Sequence, residues 1–109
     1  MGHITGQPAQ KIYAVHYVYG PDTAAARDEH RPAHREYLLG LGADLVAAGA
    51  YVDDPEQALL LVRGTSAEDV RTRLAQDPFA VHGILTEARI HEWSCAIGTA
   101  SAALRGELS

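Results

Sequence analysis

His34 and Asp77 are the two residues of this 109-residue chain whose types and positions best suit them to move a proton. Histidine is the side chain that gains and loses charge near neutral pH. His34 opens an apolar stripe, so its imidazole is expected at the edge of a core rather than in open solvent. Asp77 stands at the exit of a second helical segment, from which its carboxylate can orient that imidazole as a general acid or base. Each also has a purely structural alternative: His34 as a half-buried histidine bonded to backbone, and Asp77, which precedes Pro78, as a helix N-cap. Other clusters offer less. Among the six histidines, His30 and His34 have the i, i+4 spacing of two helical metal ligands. Position 31 is Arg where the zincin motif has Glu, and Pro32 intervenes, so no metal is expected. Gly40-Leu41-Gly42 lacks the preceding strand and the third glycine of a dinucleotide loop. Cys95, the sole cysteine, reads as a small inert thiol and leaves no intrachain disulfide to form.

The elements that must position these residues follow from periodicity. Ile12 to Tyr19, dense in β-branched and aromatic residues and closed by Gly20-Pro21-Asp22, reads as the first strand. Alternation sends Tyr13, Val15, Tyr17 and Tyr19 to one face and Ile12, Ala14, His16 and Val18 to the other, so both faces need cover. Pro32 is expected at the first turn of a helix running to about Ala48, after a polar stretch with at most a loose turn. On that helix His34, Leu38, Leu41 and Leu45 form the inward stripe, Arg31 lies at its edge, and Gly49 stops it. Ala50 to Val52 and Ala58 to Arg63 are expected to pair as a hairpin across Asp53-Asp54-Pro55-Glu56. Thr65-x-x-Glu68 or Ser66-x-x-Asp69 opens a second helix with Val70 and Leu74 on one face, ending near Gln76. Ile84 to Trp93 reads as the last strand, with Ile84, Thr86, Ala88 and Ile90 on one face. The order is βαββαβ, the split arrangement that gives a ferredoxin-like α+β fold: an antiparallel four-stranded sheet with both helices on one face. The other face is left bare, and a second copy of the chain is the expected cover, making a homodimer.

Composition bounds the rest. The length suits one domain, and a 47% apolar chain with 21% charged residues can fill its core. Nine basic against fourteen acidic residues give a net charge of −5, with no basic stripe for nucleic acid. No apolar run approaches the ~20 residues of a membrane span, so the expected location is cytoplasmic. Residues 1–10 read as a mobile tail, 11–94 as the domain and 95–109 as a C-terminal tail with a short helix near Ala102 to Leu104.

Arg31-Pro32-Ala33-His34 followed by Tyr37-Leu38, then Ala48-Gly49, then Ala75-Gln76-Asp77-Pro78-Phe79 and a strand ending in Glu92-Trp93, resembles the YciI-like (YCII-related) family over about Ile12 to Trp93. The chain departs from the family pattern at Ala48-Gly49-Ala50, where Ala-Gly-Pro is common, and in its hairpin turn. The resemblance implies a dimeric α+β barrel with His34 and Asp77 as the active-site pair. It further suggests a small cofactor-free enzyme, a lyase or isomerase, transferring protons on a small organic substrate in a dimer cleft. Aromatic degradation and secondary metabolism are the settings this suggests. In that reading Arg31 clamps a substrate carboxylate or enolate, and His16, Tyr17 and Phe79 are further pocket residues. The rival is a non-catalytic ligand-binding or assembly protein that kept the barrel.

Overall fold

The alternation of apolar residues along Lys11–Tyr19 suits this segment, β1, to its place as one of the two inner strands of the sheet in a computed structural model that describes residues 10–105. The expected mobile tail lies, apart from Gln10, outside the described residues. β1 is followed by α1 (Ala24–Leu39), a single 3-10 turn (Gly42–Asp44), β2 (Leu45–Ala50), β3 (Gln57–Gly64), α2 (Ala67–Leu74), the one-turn α3 (Pro78–Val81), β4 (Leu85–Trp93) and the short α4 (Ser101–Leu104). The strands lie in the order β2-β3-β1-β4, all neighbours antiparallel. This is the α+β, ferredoxin-like arrangement expected from the βαββαβ order.

Parity along β1 decides which side chains meet the helices. Tyr13, Val15 and Tyr17 are buried on the helix side with Ala58, Leu60 and Val62 of β3, and Leu38, Val70 and Leu74 close the core from α1 and α2. α2 begins where the sequence indicates: the Ser66 hydroxyl accepts from the Asp69 N–H, and the Asp69 carboxylate accepts from the Thr65 N–H. Gly64, the last residue of β3, lets α2 come this close, because a Cβ there would lie 2.6 Å from Val70 Cγ2 and 2.9 Å from Asp69 Oδ2. Arg73 ties the layers together, donating to the Arg63 carbonyl and pairing with Asp44 at 2.9 Å.

Three boundaries differ from expectation. α1 starts eight residues before Pro32 and ends at Leu39 rather than Ala48, so Pro32 sits inside it. The three alanines at 24–26 are strong helix formers. The proline removes one intrahelical donor and faces outward, a cost offset by ring contacts that anchor α1 along its length, described below. Leu41 and Leu45 still pack on the core, from the turn and from β2 rather than from a helix. Gly40 caps α1, and Gly42 takes the left-handed φ of 64° that reverses the chain. The first strand of the hairpin is therefore Leu45–Ala50, with Gly49 inside it, instead of Ala50 to Val52. In β4 a bulge between the partners of Val18 and Tyr19 shifts the parity, so Leu85 joins Ala88 and Ile90 against the helix-side core and Thr86 is exposed, while Ile84, one residue before the strand, is fully buried. In the C-terminal tail α4 is held by Arg63, which donates to the carbonyls of Ala103 and Leu104.

Candidate active site

Asp77 caps α3, its Oδ1 accepting from the Phe79 N–H at 3.0 Å, as an aspartate before a proline should. It does more than cap. The side chain is fully buried, and the Tyr17 hydroxyl donates to Oδ2 at 2.8 Å from the centre of the sheet. His34 Nδ1, from the middle of α1, lies 2.8 Å from Oδ1 and 2.9 Å from Oδ2. A carboxylate only accepts, so the proton between the two belongs to Nδ1. In the neutral imidazole Nε2 is then the lone-pair nitrogen, and it has no hydrogen-bond partner among the described residues.

Ring contacts fix the orientation. Phe79, two residues beyond Asp77, stacks on the imidazole with centroids 3.8 Å apart and planes 3° apart. One turn earlier on α1, His30 stacks on His82 at 3.8 Å, so α1 and α3 are joined by two ring pairs. Tyr19 meets Phe79 edge to face at 5.7 Å, and the Arg27 guanidinium lies 4.6 Å over the Tyr19 ring. Burial, reinforced by the adjacent Asp77 charge and hydrogen bond, pushes the Tyr17 phenol far above the ordinary tyrosine range. Tyr19 is also raised, by burial above all. Arg27 opposes that shift, Asp77 adds to it, and Arg31 opposes it again. Both phenols therefore stay protonated at neutral pH.

The imidazole forms part of the wall of a cleft of about 170 Å³ between α1, the edge strand β2 and β3. Arg31, Arg35 and Tyr19 supply its polar groups, and Leu38, Leu60 and Phe79 are the larger apolar ones. The residues expected at the site separate accordingly. His34, Asp77 and Phe79 come together. Arg31 lines the cleft while its Nη1 holds Asp28 at 2.6 Å. Tyr17 belongs to the site from beneath: fully buried, it bonds Asp77 and does not line the cleft, so it is no contact for a ligand. His16 does not belong. Strand alternation turns it to the opposite face of the sheet, where its ring stacks with Tyr51 and its Nδ1 lies 3.2 Å from the Tyr51 hydroxyl. Sequence reasoning missed Tyr19 and Arg35, although Tyr19 shares parity with Tyr17 and Arg35 lies one helical turn beyond Arg31. Among the described residues no group of three His, Cys, Asp or Glu side chains is arranged to hold a metal, and no helix is long and apolar enough to cross a membrane.

The YCII-related domain family matches residues 12–94 of the chain. No curated protein matches it in sequence. Among solved structures, the chain is similar to 5-chloro-2-hydroxyhydroquinone dehydrochlorinase (TftG) of Burkholderia phenoliruptrix AC1100 in complex with 2,5-dihydroxybenzoquinone. That likeness has a TM-score of 0.68 and 20% identity and covers 75% of this chain and 92% of the other. A candidate antibiotic biosynthesis monooxygenase of Nitrosomonas europaea is similar with a TM-score of 0.51 and 13% identity, over 83% and 93% of the two chains. A NIPSNAP family protein of Agrobacterium tumefaciens strain C58 is similar at 0.53 and 11%, over 78% and 91%. At these identities the likeness is one of fold.

Proposed function

As the chain belongs to the YCII-related domain family, we propose that it is a small enzyme of the lyase or isomerase type, in which His34 transfers a proton to and from an organic substrate. One observation carries this reading: the imidazole is held through Nδ1 by a buried, fully bonded carboxylate, and Nε2 is left without a partner on the side chain that lines the cleft. In this arrangement the carboxylate fixes the tautomer and stabilises the imidazolium once Nε2 has taken a proton. A C–H or O–H bond of the substrate breaks, its proton passes to Nε2, and the electron pair stays on the substrate. The pair then expels a leaving group, completing an elimination, or the proton returns at another atom, completing an isomerisation. Arg31 stands where developing negative charge on the substrate would be stabilised. Proton transfer of this kind needs no cofactor. The similarity to a dehydrochlorinase, by its name an enzyme that removes HCl from a ring compound, supports the lyase class.

The assembly belongs to the same proposal. The face of the sheet turned away from α1 and α2 presents Ala14, His16, Val18, Leu59 and Leu61, none of them covered by a helix of the domain core. A second copy of the chain covers this face, giving a homodimer. Light scattering at micromolar concentration returns twice the chain mass; a monomeric mass with the fold intact by circular dichroism overturns the pairing.

Catalysis is tested by incubating the protein in D₂O with a panel of small enolisable acids and hydroxylated, chlorinated ring compounds, and following deuterium incorporation or chloride release. The wild-type chain is expected to turn over at least one of them, and His34→Gln to lose that turnover while still binding it. If His34→Gln turns over the compound at the wild-type rate, or if compounds bind and none reacts, the chain is a ligand-binding protein that kept the barrel.

A further inference from the structure

Arg27, Arg31 and Arg35 stand one helical turn apart on α1, at positions i, i+4 and i+8, where residues share a face. All three point along the flank that carries His34. The Arg27 guanidinium covers the Tyr19 ring, and Arg31 and Arg35 line the cleft beside the imidazole. In a chain with net charge −5, this row is a local reversal of sign. The acidic groups nearby leave part of the reversal in place. Asp28 pairs with Arg31 at 2.6 Å and offsets that guanidinium, which leaves Arg35 as the uncompensated charge, and Glu36 lines a different groove of α1 with Ala33 and Tyr37. Asp77 is buried behind the imidazole with three donors on it. Arg35 is exposed at the rim of the cleft and has neither ion pair nor hydrogen bond among the described residues.

The remainder of the wall sets the shape and size of what fits. Leu38, Leu60 and Phe79 are apolar and flat or branched, while Ala48, Gly49 and Ala50 of β2 carry nothing larger than a methyl group. The volume of about 170 Å³ falls short of the roughly 300 Å³ at which pockets for drug-sized ligands begin, leaving room for about one ring. A small cleft with an unpaired guanidinium at its rim, a second one beside it and an apolar slot below suits a ligand with one charged end and a flat, apolar body.

We infer that the substrate of this site is a small planar anion, a carboxylate or phenolate on a single ring or short conjugated chain, held by Arg35 with Arg31 beside it. The inference rests on the proton-transfer reading above and extends it. When Nε2 removes a proton, the electron pair left behind delocalises toward the anionic oxygens, and the two guanidiniums face the added charge. Arg35 is thereby the specificity-determining residue, separating anions from neutral molecules of the same shape.

The probes are benzoate and benzamide, which share a ring and differ in charge. Each is titrated into the full chain and followed by NMR at low and at moderate salt. Benzoate is expected to bind at least tenfold more tightly than benzamide, more weakly as salt rises, and with shifts at Phe79 and Arg35. Arg35→Gln should weaken benzoate at least fivefold and leave benzamide unchanged, and Arg35→Lys should restore part of the loss. Equal binding of the two probes, no binding of either, or an unchanged benzoate affinity in Arg35→Gln overturns the inference. The two proposals fail separately. A neutral compound turned over through His34 removes the anion requirement and keeps the proton transfer, whereas anion binding through Arg35 with no His34-dependent turnover does the reverse.

Discussion

Replacing Asp77 by Asn and by Ala separates its two roles. The carboxylate accepts from the Phe79 N–H, the Tyr17 hydroxyl and His34 Nδ1, the first two bonds fully buried and the third partly so at the cleft wall. Asp77→Ala removes the N-cap, worth about 1 kcal/mol, and leaves the Tyr17 hydroxyl and Nδ1 without an acceptor, each such loss costing about 1–3 kcal/mol. The expected total of about 3–7 kcal/mol is a large part of the 5–15 kcal/mol by which small domains are stable. Asp77→Asn keeps an oxygen for the Phe79 N–H and exchanges a buried charge for an amide, so its stability should stay within about 1.5 kcal/mol of wild type. Its chemistry should not survive. The oxygen that stays bonded to the Phe79 N–H also lies 2.8 Å from Nδ1 and still accepts its proton, but the negative charge that stabilises the imidazolium in the transfer step is gone. Loss of a carboxylate that orients a catalytic histidine lowers turnover by about 10²–10⁴-fold. Urea denaturation gives the two stabilities, and deuterium incorporation into the compound identified with the wild-type chain gives the two rates. A folded Asp77→Asn protein that turns over within threefold of wild type would reduce Asp77 to a helix cap and refute the mechanism.

The buried phenols predict alkaline instability. Since the folded Tyr17 phenol ionises far above the unfolded value near 10, stability is full below about pH 10 and falls above it by about 1.4 kcal/mol per pH unit from this residue alone. Tyr17→Phe should flatten that fall while lowering stability at neutral pH by about 1–3 kcal/mol, because Asp77 loses a donor; denaturation midpoints from pH 7 to 11 check both. Gly64→Ala should destabilise the fold by about 1–3 kcal/mol, since the added methyl meets Val70 Cγ2 at 2.6 Å and α2 must move; a melting temperature unchanged from wild type would contradict the close approach.

What the sequence discloses is set by how local the physics is. β1, β3 and β4 were legible because their side-chain period matches burial, and α2 because Ser66 and Asp69 form its cap within four residues; β2 was not, because its residues Leu45 to Ala48 continue a helical stripe. The extent of α1 was not. Pro32 and Gly49 are the strongest punctuation in that stretch, yet the helix passes through the first and ends ten residues before the second, since Arg27, His30 and His34 find rings on other elements. The His34–Asp77 pair was visible from residue types, order and family resemblance, but its third member was placed only in part. His16 and Tyr17 were both expected in the pocket, and strand parity admits one of them to that face. The register that puts the Tyr17 hydroxyl under Asp77 depends on packing between distant segments. The bulge in β4 has no marker among Ile84 to Glu87, where no glycine stands to signal it.

The most direct test of the central claim reads the proton on His34. In protein labelled with ¹⁵N at histidine, at a pH where the imidazole is neutral, the ring nitrogen shifts and their couplings to the ring protons distinguish the two tautomers. A protonated Nδ1 and an unprotonated Nε2 are expected in the wild-type chain, and Asp77→Ala, which removes the acceptor, should release that preference. A wild-type imidazole protonated at Nε2, or one exchanging freely between tautomers, would contradict the claim.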